Sequence, residues 1–300
     1  MKIKNLLRSI LFIGLSVCLV SCSDGDDNDG NENGNGNGNG NGNGGGEEIV
    51  TKQKILTKID YSAYDENITT YQVDEQNRLK ITTSRNKDNS STYQIDQTSN
   101  YSYDEQGRLS KIEIKRRQAL DGEDYNINYV YRLDSVLIHS RQKTKSSTGY
   151  FYNDVIDTLV LNSNKLVKKR MYSWKNVFNN GKETLVANEI FEYKYDSNDN
   201  VIKEESYNRE GILLGTRSFE YDDKLNKFSN INMPKWYFIR FMISESQFHT
   251  GKNNPVKETK DYNGITEKVF EYEYDEDGYP TSLTKDGKKY ENIYVYEELK

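Results

Sequence analysis

The residues that could support catalysis or metal binding are few and lie far apart. The chain has two histidines, His139 in an apolar stretch and His249 in a polar one. The sequence contains no His-Glu-x-x-His zinc motif, no Gly-x-Ser-x-Gly nucleophile elbow and no Walker phosphate loop. Carboxylate pairs are too common along the chain to mark an acid–base site. We therefore predict no catalytic residue, no metal site, no cofactor and no enzymatic activity, with a carbohydrate-active enzyme as the weaker alternative.

One segment has the beginning of a calcium loop. Asp196, Asn198 and Asn200 stand at alternate positions, as the first ligands of an EF-hand loop do. Val201 then occupies the position where that loop requires glycine, and Tyr207 occupies the position of the closing glutamate. We expect a hairpin turn at this place, and weak calcium binding is the minor alternative.

The residue for which the sequence predicts a covalent modification is Cys22. Basic residues at the start of the chain precede an apolar run, which is too short for a membrane-spanning helix of about 20 residues. The residues directly before Cys22 are Leu19, Val20 and Ser21. This arrangement resembles a bacterial lipobox, which implies a lipoprotein signal peptide over residues 1–21 and a lipid on the Cys22 sulfur. A secretory signal with a chance cysteine is the alternative.

The residues after the cysteine concern the destination of the protein. A short acidic stretch is formed by Ser23, Asp24, Asp26 and Asp27. It is similar to the export tag of surface lipoproteins from Bacteroidota-type bacteria, which implies an outer-membrane, lipid-anchored protein facing the cell exterior. The Asn/Gly tract that follows cannot bury a core, so residues 22–47 are predicted to form anchor, tag and disordered spacer.

Composition sets the class of the remaining chain, residues 48–300, which has the length of one large domain. The second cysteine, Cys18, lies in the leader, so a mature domain without disulfides is expected. The net charge of −6 gives no electrostatic reason for nucleic-acid binding. The hydrophobic content is only 34%, but 24 tyrosines supply large rings whose hydroxyl groups can stay in water. These features predict an extended β-sheet with solvated faces.

A repeated motif runs through this domain. The clearest copy reads Tyr-Ser-Tyr-Asp-Glu-Gln-Gly-Arg-Leu from Tyr101 to Leu109, and similar segments begin at Tyr71 and Tyr272. The predicted repeat turns are at Asp74 with Asn77, Asp104 with Gly107, Asp196, Asp222, and Asp275 with Gly278. Asp74 and Asp104 are 30 residues apart. A period of this length indicates a repeat architecture built from one small unit.

Each unit is predicted to be a β-hairpin. The Tyr-x-Tyr spacing places both rings on one face of a strand. The aspartate can accept backbone N–H bonds in the turn, and Gly or Asn can adopt the left-handed conformation that follows. Leu109 is out of phase with Ile112, which predicts a bulge. We expect an all-β fold, a long, twisted and curled antiparallel meander of about 14 strands, because a flat sheet of that size is unfavourable; closure on itself is left open.

Over residues 55–300 the repeat resembles the Tyr-Asp (YD) repeats of the Rhs family, which implies a curled β-shell. The enclosing role of Rhs proteins does not follow, because the repeats here are far fewer. A closer resemblance is to uncharacterised Bacteroidota-type surface lipoproteins with YD (Rhs-like) repeats. It rests on the motif Asn253-Asn254-Pro255-Val256 and on the repeat copy that begins at Tyr272. This second resemblance implies an extended antiparallel sheet and no particular activity.

Two groups of residues interrupt the repeat. The apolar run over residues 236–243 can be a core plug at one mouth of the curled sheet or an exposed patch that holds a partner. The aromatic residues outside the repeat phase are Tyr150, Phe151, Tyr152, Trp174 and Phe178. We also expect irregular loops at the edge opposite the repeat turns, where binding residues usually lie.

The sequence as a whole favours a cell-surface, lipid-anchored β-repeat protein that acts as a binding or scaffold module. Its predicted partners are the membrane, through the lipid on Cys22, and a surface glycan or a protein; nucleic acid is not expected. A purely structural envelope lipoprotein is the alternative. The identity of the ligand stays open at this point.

Overall fold

The computed structural model describes residues 52–64, 67–87, 93–116, 123–146, 149–241 and 251–299, all of which belong to one compact unit, Thr51–Lys300. The predicted signal peptide, Cys22 with its tag and spacer, and His249 lie outside the described residues. Within the described ranges, no helix has the length and apolar character needed to cross a membrane.

The structure is all-β, as predicted, with seventeen strands in one antiparallel sheet. The strands are β1 (Lys54–Asp60), β2 (Ile68–Val73), β3 (Leu79–Lys87), β4 (Tyr93–Tyr103), β5 (Leu109–Arg116), β6 (Tyr125–Tyr131), β7 (Ser135–Ser146), β8 (Gly149–Leu161), β9 (Val167–Phe178), β10 (Glu183–Tyr195), β11 (Val201–Tyr207), β12 (Leu213–Tyr221), β13 (Pro255–Asp261), β14 (Ile265–Tyr274), β15 (Pro280–Lys285), β16 (Lys288–Tyr290) and β17 (Tyr294–Glu298). A helix, α1 (Lys235–Phe241), and a short 3-10 turn, Ser62–Tyr64, complete the described elements.

The sheet is a curled meander that is not closed. Each strand from β1 to β15 pairs antiparallel with the next one along the chain. The last strand, β17, returns to pair with β1. Side chains join β17 to β15: the Tyr296 hydroxyl donates to the Pro280 carbonyl at 2.9 Å, and the Tyr279 and Tyr296 ring centroids are 5.3 Å apart. The predicted curl is confirmed, and the sheet has more strands than the predicted number.

The repeat turns share one geometry. In the turn at Asp104, the Gly107 N–H donates to the Asp104 carbonyl at 2.9 Å, and the carboxylate accepts the Arg108 N–H at 2.8 Å. Gly107 has φ +73°, and the equivalent Asn77 has φ +60°. The expected bulge follows, because Ser102 pairs with Lys111 while Tyr103 pairs with Leu109. A side chain that satisfies the turn's own amides explains why this motif recurs.

Asp222 departs from that geometry. Its N–H donates to the Asn254 carbonyl at 3.1 Å, and its carboxylate accepts the Asn254 N–H at 3.0 Å. Strand β12 therefore pairs directly with β13, and the chain between them leaves the sheet. Asp222 ties together the two ends of this insertion and does not close a hairpin.

The inserted segment supplies the centre of the core. In α1, Trp236 and Ile239 are 3% and 1% exposed. The Trp236 ring lies 5.4 Å from that of Tyr129, and the Tyr237 and Tyr101 hydroxyl groups are 2.7 Å apart. The first four residues of the apolar run are thus a core plug, the first of the two alternatives; residues 242 and 243 lie outside the described residues.

Tyrosines also connect neighbouring repeats. The second tyrosine of a Tyr-x-Tyr pair donates its hydroxyl to a backbone carbonyl of the preceding hairpin. Tyr103 donates to Leu79 at 2.7 Å and Tyr131 to Leu109 at 2.9 Å. The guanidinium of a turn arginine covers the ring of that tyrosine: Arg108 lies 4.5 Å from the Tyr131 centroid. Burial raises the pKa of Tyr131 to about 12, with Arg108 opposing the shift, so the hydroxyl stays a proton donor.

The face of the sheet that packs against α1 and the core is called the inner face here, and the opposite one the outer face. Farther along the inner face, charged residues replace apolar ones. The Arg170 guanidinium makes a bidentate contact with the Asp157 carboxylate, with an Nη2–Oδ2 distance of 2.8 Å, and both side chains are almost fully buried. Arg217 forms ion pairs with Glu204 and Glu258, at 3.3 and 2.6 Å, and its contacts with Glu258 go to the single oxygen Oε1. Burial of these ions is tolerated because each charge has an opposite partner and hydrogen bonds.

Candidate binding surface

The candidate site is a step in the sheet where strand β10 runs past its neighbour β11. Strand β10 pairs with β9 from Glu183 onward, but it pairs with β11 only from Ile190 onward. Residues 183–189 therefore have a strand partner on one side, and the described chain supplies none on the other. Backbone groups that point away from β9 along this segment are open to another strand.

The free segment of β10 carries two exposed apolar side chains. Its sequence is Glu-Thr-Leu-Val-Ala-Asn-Glu, which contains no lysine and no proline. Leu185 is 52% exposed and Val186 is 43% exposed. Val186 is a bulge residue, since Leu185 pairs with Lys175 and Ala187 pairs with Trp174. A bulge twists an edge, but the lysines and prolines that often protect an edge strand from association are missing from this segment, and its charged residues, Glu183 and Glu189, stand only at its two ends.

A groove of about 410 Å³ lies beside this segment, on the outer face of the sheet. Its lining residues are Ser173, Lys175, Glu183, Leu185, Asn188 and Arg209. Lys175 and Glu183 form an ion pair of 3.1 Å between Nζ and Oε2. In the described chain no carboxylate lies within ion-pair distance of Arg209, which is exposed. The groove is thus lined by polar side chains, by the aliphatic Leu185 and by Arg209, a cation without an ion-pair partner in the described chain.

A tight turn positions Arg209. Asn208 and Gly211 close the hairpin between β11 and β12, with the Gly211 N–H donating to the Asn208 carbonyl at 3.1 Å. The Asn208 side chain also accepts the Ile212 N–H at 2.8 Å, and Gly211 has φ +81°. This is the same local chemistry as in the repeat turns, used here at the opposite edge. It fixes the backbone from which the guanidinium extends.

An apolar row adjoins the groove on the outer face. Met171 pairs with Ile190, Ile190 with Tyr207, and Tyr207 with Leu213, so their side chains share one face across four strands. Met171 is 39% exposed and Leu213 is 51% exposed. Contiguous exposed apolar side chains of this kind are typical of interaction surfaces.

Two acidic side chains modify the electrostatics near the step. Burial raises the pKa of the Glu189 carboxyl, Arg170 opposes this shift, and Glu204 adds to it. On the outer face, the Tyr207 hydroxyl donates to Glu205 at 3.4 Å, and burial together with the Glu205 charge raises its pKa. At neutral pH Tyr207 therefore presents a neutral ring with a hydroxyl at its edge.

The aromatic residues singled out from the sequence do not form one patch. Trp174 and Phe178 lie on the inner face of β9, and Phe178 pairs with Phe151, with ring centroids 5.7 Å apart. Tyr150 and Tyr152 lie on the outer face, with centroids 5.6 Å apart. Neighbouring residues of a strand point to opposite faces, so closeness in sequence does not show whether these aromatic side chains share a surface.

The other sequence-predicted residues lie away from the step. The repeat turns are at the opposite edge of the sheet. His139 is on an outer strand surface, where its Nε2 lies 2.7 Å from Asp154 Oδ1. Asp196, Asn198 and Asn200 form a turn, in which the Asp196 carboxylate accepts the Asn200 N–H at 2.9 Å. Among the residues that the structure describes, no group of three or more His, Cys, Asp or Glu side chains could hold a metal ion.

At the edge opposite the repeat turns, one of the connections that the structure describes is more regular than expected. Residues 178–182, expected to be an irregular loop, form a tight turn in which the Phe178 N–H donates to the Lys182 carbonyl at 2.8 Å. The sequence analysis missed the step itself; the signal available was the adjacent Leu185 and Val186 within a polar segment.

The chain matches no protein-family model and no curated protein. Among solved structures, it is similar to a porin-like protein from Bacteroides uniformis ATCC 8492, with 13% identity and a TM-score of 0.34 over 83% of this chain and 98% of the other. A porin-like protein from Bacteroides vulgatus ATCC 8482 gives 13% identity and a TM-score of 0.37 over 81% of this chain and 96% of the other. These TM-scores are too low to support a conclusion about fold family or activity.

Proposed function

We propose that the protein is a lipid-anchored, cell-surface binding module that holds its partner at the step formed by β9, β10 and the β11–β12 turn. The observation that carries the proposal is the free edge of β10 at residues 183–189, which presents the exposed apolar residues Leu185 and Val186 next to the groove. The anchor rests on the lipobox residues and Cys22, and the orientation rests on the acidic tag after it.

A binding role is favoured over a purely structural one by the location of the exposed apolar residues. The core of the described domain consists mainly of inward-facing strand residues and α1, and Leu185, Val186, Met171 and Leu213 do not belong to it. Exposed apolar surface of this kind promotes unwanted association unless a partner covers it. A structural envelope protein has no evident need for the groove and its cation.

The binding role can be tested with the full-length protein purified in detergent, fluorescently labelled and applied to cells that lack it. We expect saturable binding that is lost in the double variant Leu185→Lys/Val186→Lys. The control is Val269→Lys on β14, whose parent residue is 48% exposed. The proposal is contradicted if both variants bind as the unchanged protein does, or if the unchanged protein does not bind.

The anchor and the orientation need separate tests. Cys22→Ala should release the protein from the membrane fraction, because lipid attachment requires the cysteine sulfur; retention in the membrane would contradict the lipobox interpretation. Replacing Asp24, Asp26 and Asp27 by Ala should protect the domain from protease added to intact cells. Cleavage of the unchanged protein only after lysis would contradict surface exposure.

A further inference from the structure

We infer that the partner at the step is an extended protein segment that adds a strand to the free edge of β10 and places an acidic side chain on Arg209. This inference rests on the proposed function and specifies the class of partner and the mode of contact. It combines three observations: an unpaired edge, an aliphatic contact surface and an exposed guanidinium.

The unpaired edge offers hydrogen bonds that only a backbone can satisfy in series. Residues 183–189 pair with β9, so alternate N–H and C=O groups point to the side on which β11 has already turned back at Tyr207. An extended peptide that aligns with such an edge forms a continuous ladder, and its alternate side chains contact the sheet faces.

The side chains around the edge favour a protein segment over a sugar. Leu185, Val186 and Met171 are aliphatic and exposed, and aliphatic surfaces bury apolar amino-acid side chains. Sugar rings stack on aromatic faces, and Tyr207 is the one aromatic residue of the outer apolar row. An extended segment with alternating apolar residues therefore fits this surface better than a glycan does.

The cation specifies an acidic residue in that segment. Arg209 has no ion pair in the described part of the chain, whereas the neighbouring Lys175 is already paired with Glu183. A guanidinium can bind a carboxylate through two parallel hydrogen bonds, which also fixes its orientation. Because the chain as a whole carries a net charge of −6, an uncompensated cation at the step is a local preference for an anionic group.

A second copy of this chain is a poorer occupant. The acidic residues of its own edge segment are Glu183, which is already paired with Lys175, and Glu189, which interacts with the buried Arg170 on the other face of the strand. A second copy would therefore bring no unpaired carboxylate from this segment to Arg209. The edge is therefore better suited to a different chain that has an acidic residue at one end and apolar residues along it.

The test selects ligands from a displayed random-peptide library on the full-length protein in detergent. We expect enrichment of peptides with alternating apolar residues and an Asp or Glu near one end. Arg209→Glu should weaken binding of the selected peptide by about tenfold or more, as expected for a charge-assisted hydrogen bond. The matched control is Arg132→Glu, an exposed arginine of the β6–β7 turn, which should leave the affinity unchanged.

A scan of N-methyl groups along the selected peptide separates strand addition from other binding modes without altering the protein. Strand addition predicts loss of binding at every second position, because alternate peptide N–H groups donate to the edge. Equal tolerance at all positions, or unchanged binding to the Arg209→Glu variant, would overturn the inference. Binding of glycans but not peptides at the step would also overturn it and leave the proposed function intact. Absence of binding to cells, peptides and glycans would overturn both.

Discussion

The two ends of strand β10 lie in opposite environments. At one end, Tyr193 is buried, the Tyr195 hydroxyl donates to the Val167 carbonyl at 2.8 Å, and strands pair on both sides. At the other end, residues 183–189 have a strand on one side, and Leu185 and Val186 are exposed. The repeat motif determines the first end. The excess length of β9 and β10 over β11 creates the second, so the departure from the repeat is where binding becomes available.

The comparison implies that the buried core, to which the paired end of β10 belongs, determines stability and that the free end of β10 does not. The largest expected effect is that of Trp236→Ala in α1, since this side chain fills the space against Tyr129 and Tyr131. Removing a buried tryptophan costs about 3–5 kcal/mol of unfolding free energy. Leu185→Ala at the free end should cost under about 0.5 kcal/mol, as for other exposed positions. Denaturant unfolding measures both, and equal losses would contradict the comparison.

The next effect concerns the buried ion pair on the inner face. Arg170→Met leaves the Asp157 charge in a site that is almost inaccessible to water, which is expected to cost about 3–5 kcal/mol. The double variant Asp157→Leu/Arg170→Met should recover most of that loss, because it removes both charges. Thermal unfolding of the two variants measures the difference. A double variant as unstable as the single one would show that packing, and not charge, matters here.

A smaller effect is expected where neighbouring repeats are joined. Tyr195→Phe removes the hydroxyl that binds the Val167 carbonyl and should cost about 1 kcal/mol. The matched control is Tyr207→Phe on the outer face, whose hydroxyl makes a longer contact with Glu205; it should be nearly neutral. Denaturant midpoints compare the two. If Tyr207→Phe proves the more costly, the outer row contributes to folding and is less available for binding.

The smallest effect is a pH dependence of the repeat turns. The hydrogen bond from Arg108 lowers the pKa of the Asp104 carboxyl, and burial opposes this. A lowered pKa in the folded state means that the stabilisation is present above the unfolded value of about 3.9 and is lost as pH falls through the folded value. Asp104→Asn should therefore show a weaker loss of stability on acidification than the unchanged protein. Parallel acid titrations would contradict this contribution.

Local chemistry made much of the fold predictable. The curled antiparallel meander follows from the alternation of tyrosines and from turns in which a single aspartate satisfies its own backbone amides. The exception was Asp222, because its partner Asn254 lies across an insertion whose length the motif does not reveal. The strand count was underestimated, since β16 carries no copy of the motif and β17 carries only its Tyr-x-Tyr part, at Tyr294 and Tyr296.

The candidate site was not predictable in the same way. Its edge exists because β11 turns back at Tyr207 while β10 continues, and strand ends are decided by their partners in space. Arg209 reaches the groove from the turn between β11 and β12. Nothing in the sequence indicates that this turn lies close to Ser173 on β9. The available hint, two adjacent aliphatic residues in a polar segment, does not distinguish a buried strand end from an exposed one.

The most direct test of the account is residue-resolved amide hydrogen exchange of the full-length protein in detergent without ligand. The account predicts slow exchange for residues 190–195, which pair on both sides, and fast exchange for the amides of residues 183–189 that point away from β9. Addition of a selected peptide should slow those fast amides and leave the others unchanged. Equal protection of both segments in the free protein would show that the edge is already covered, and would contradict the account.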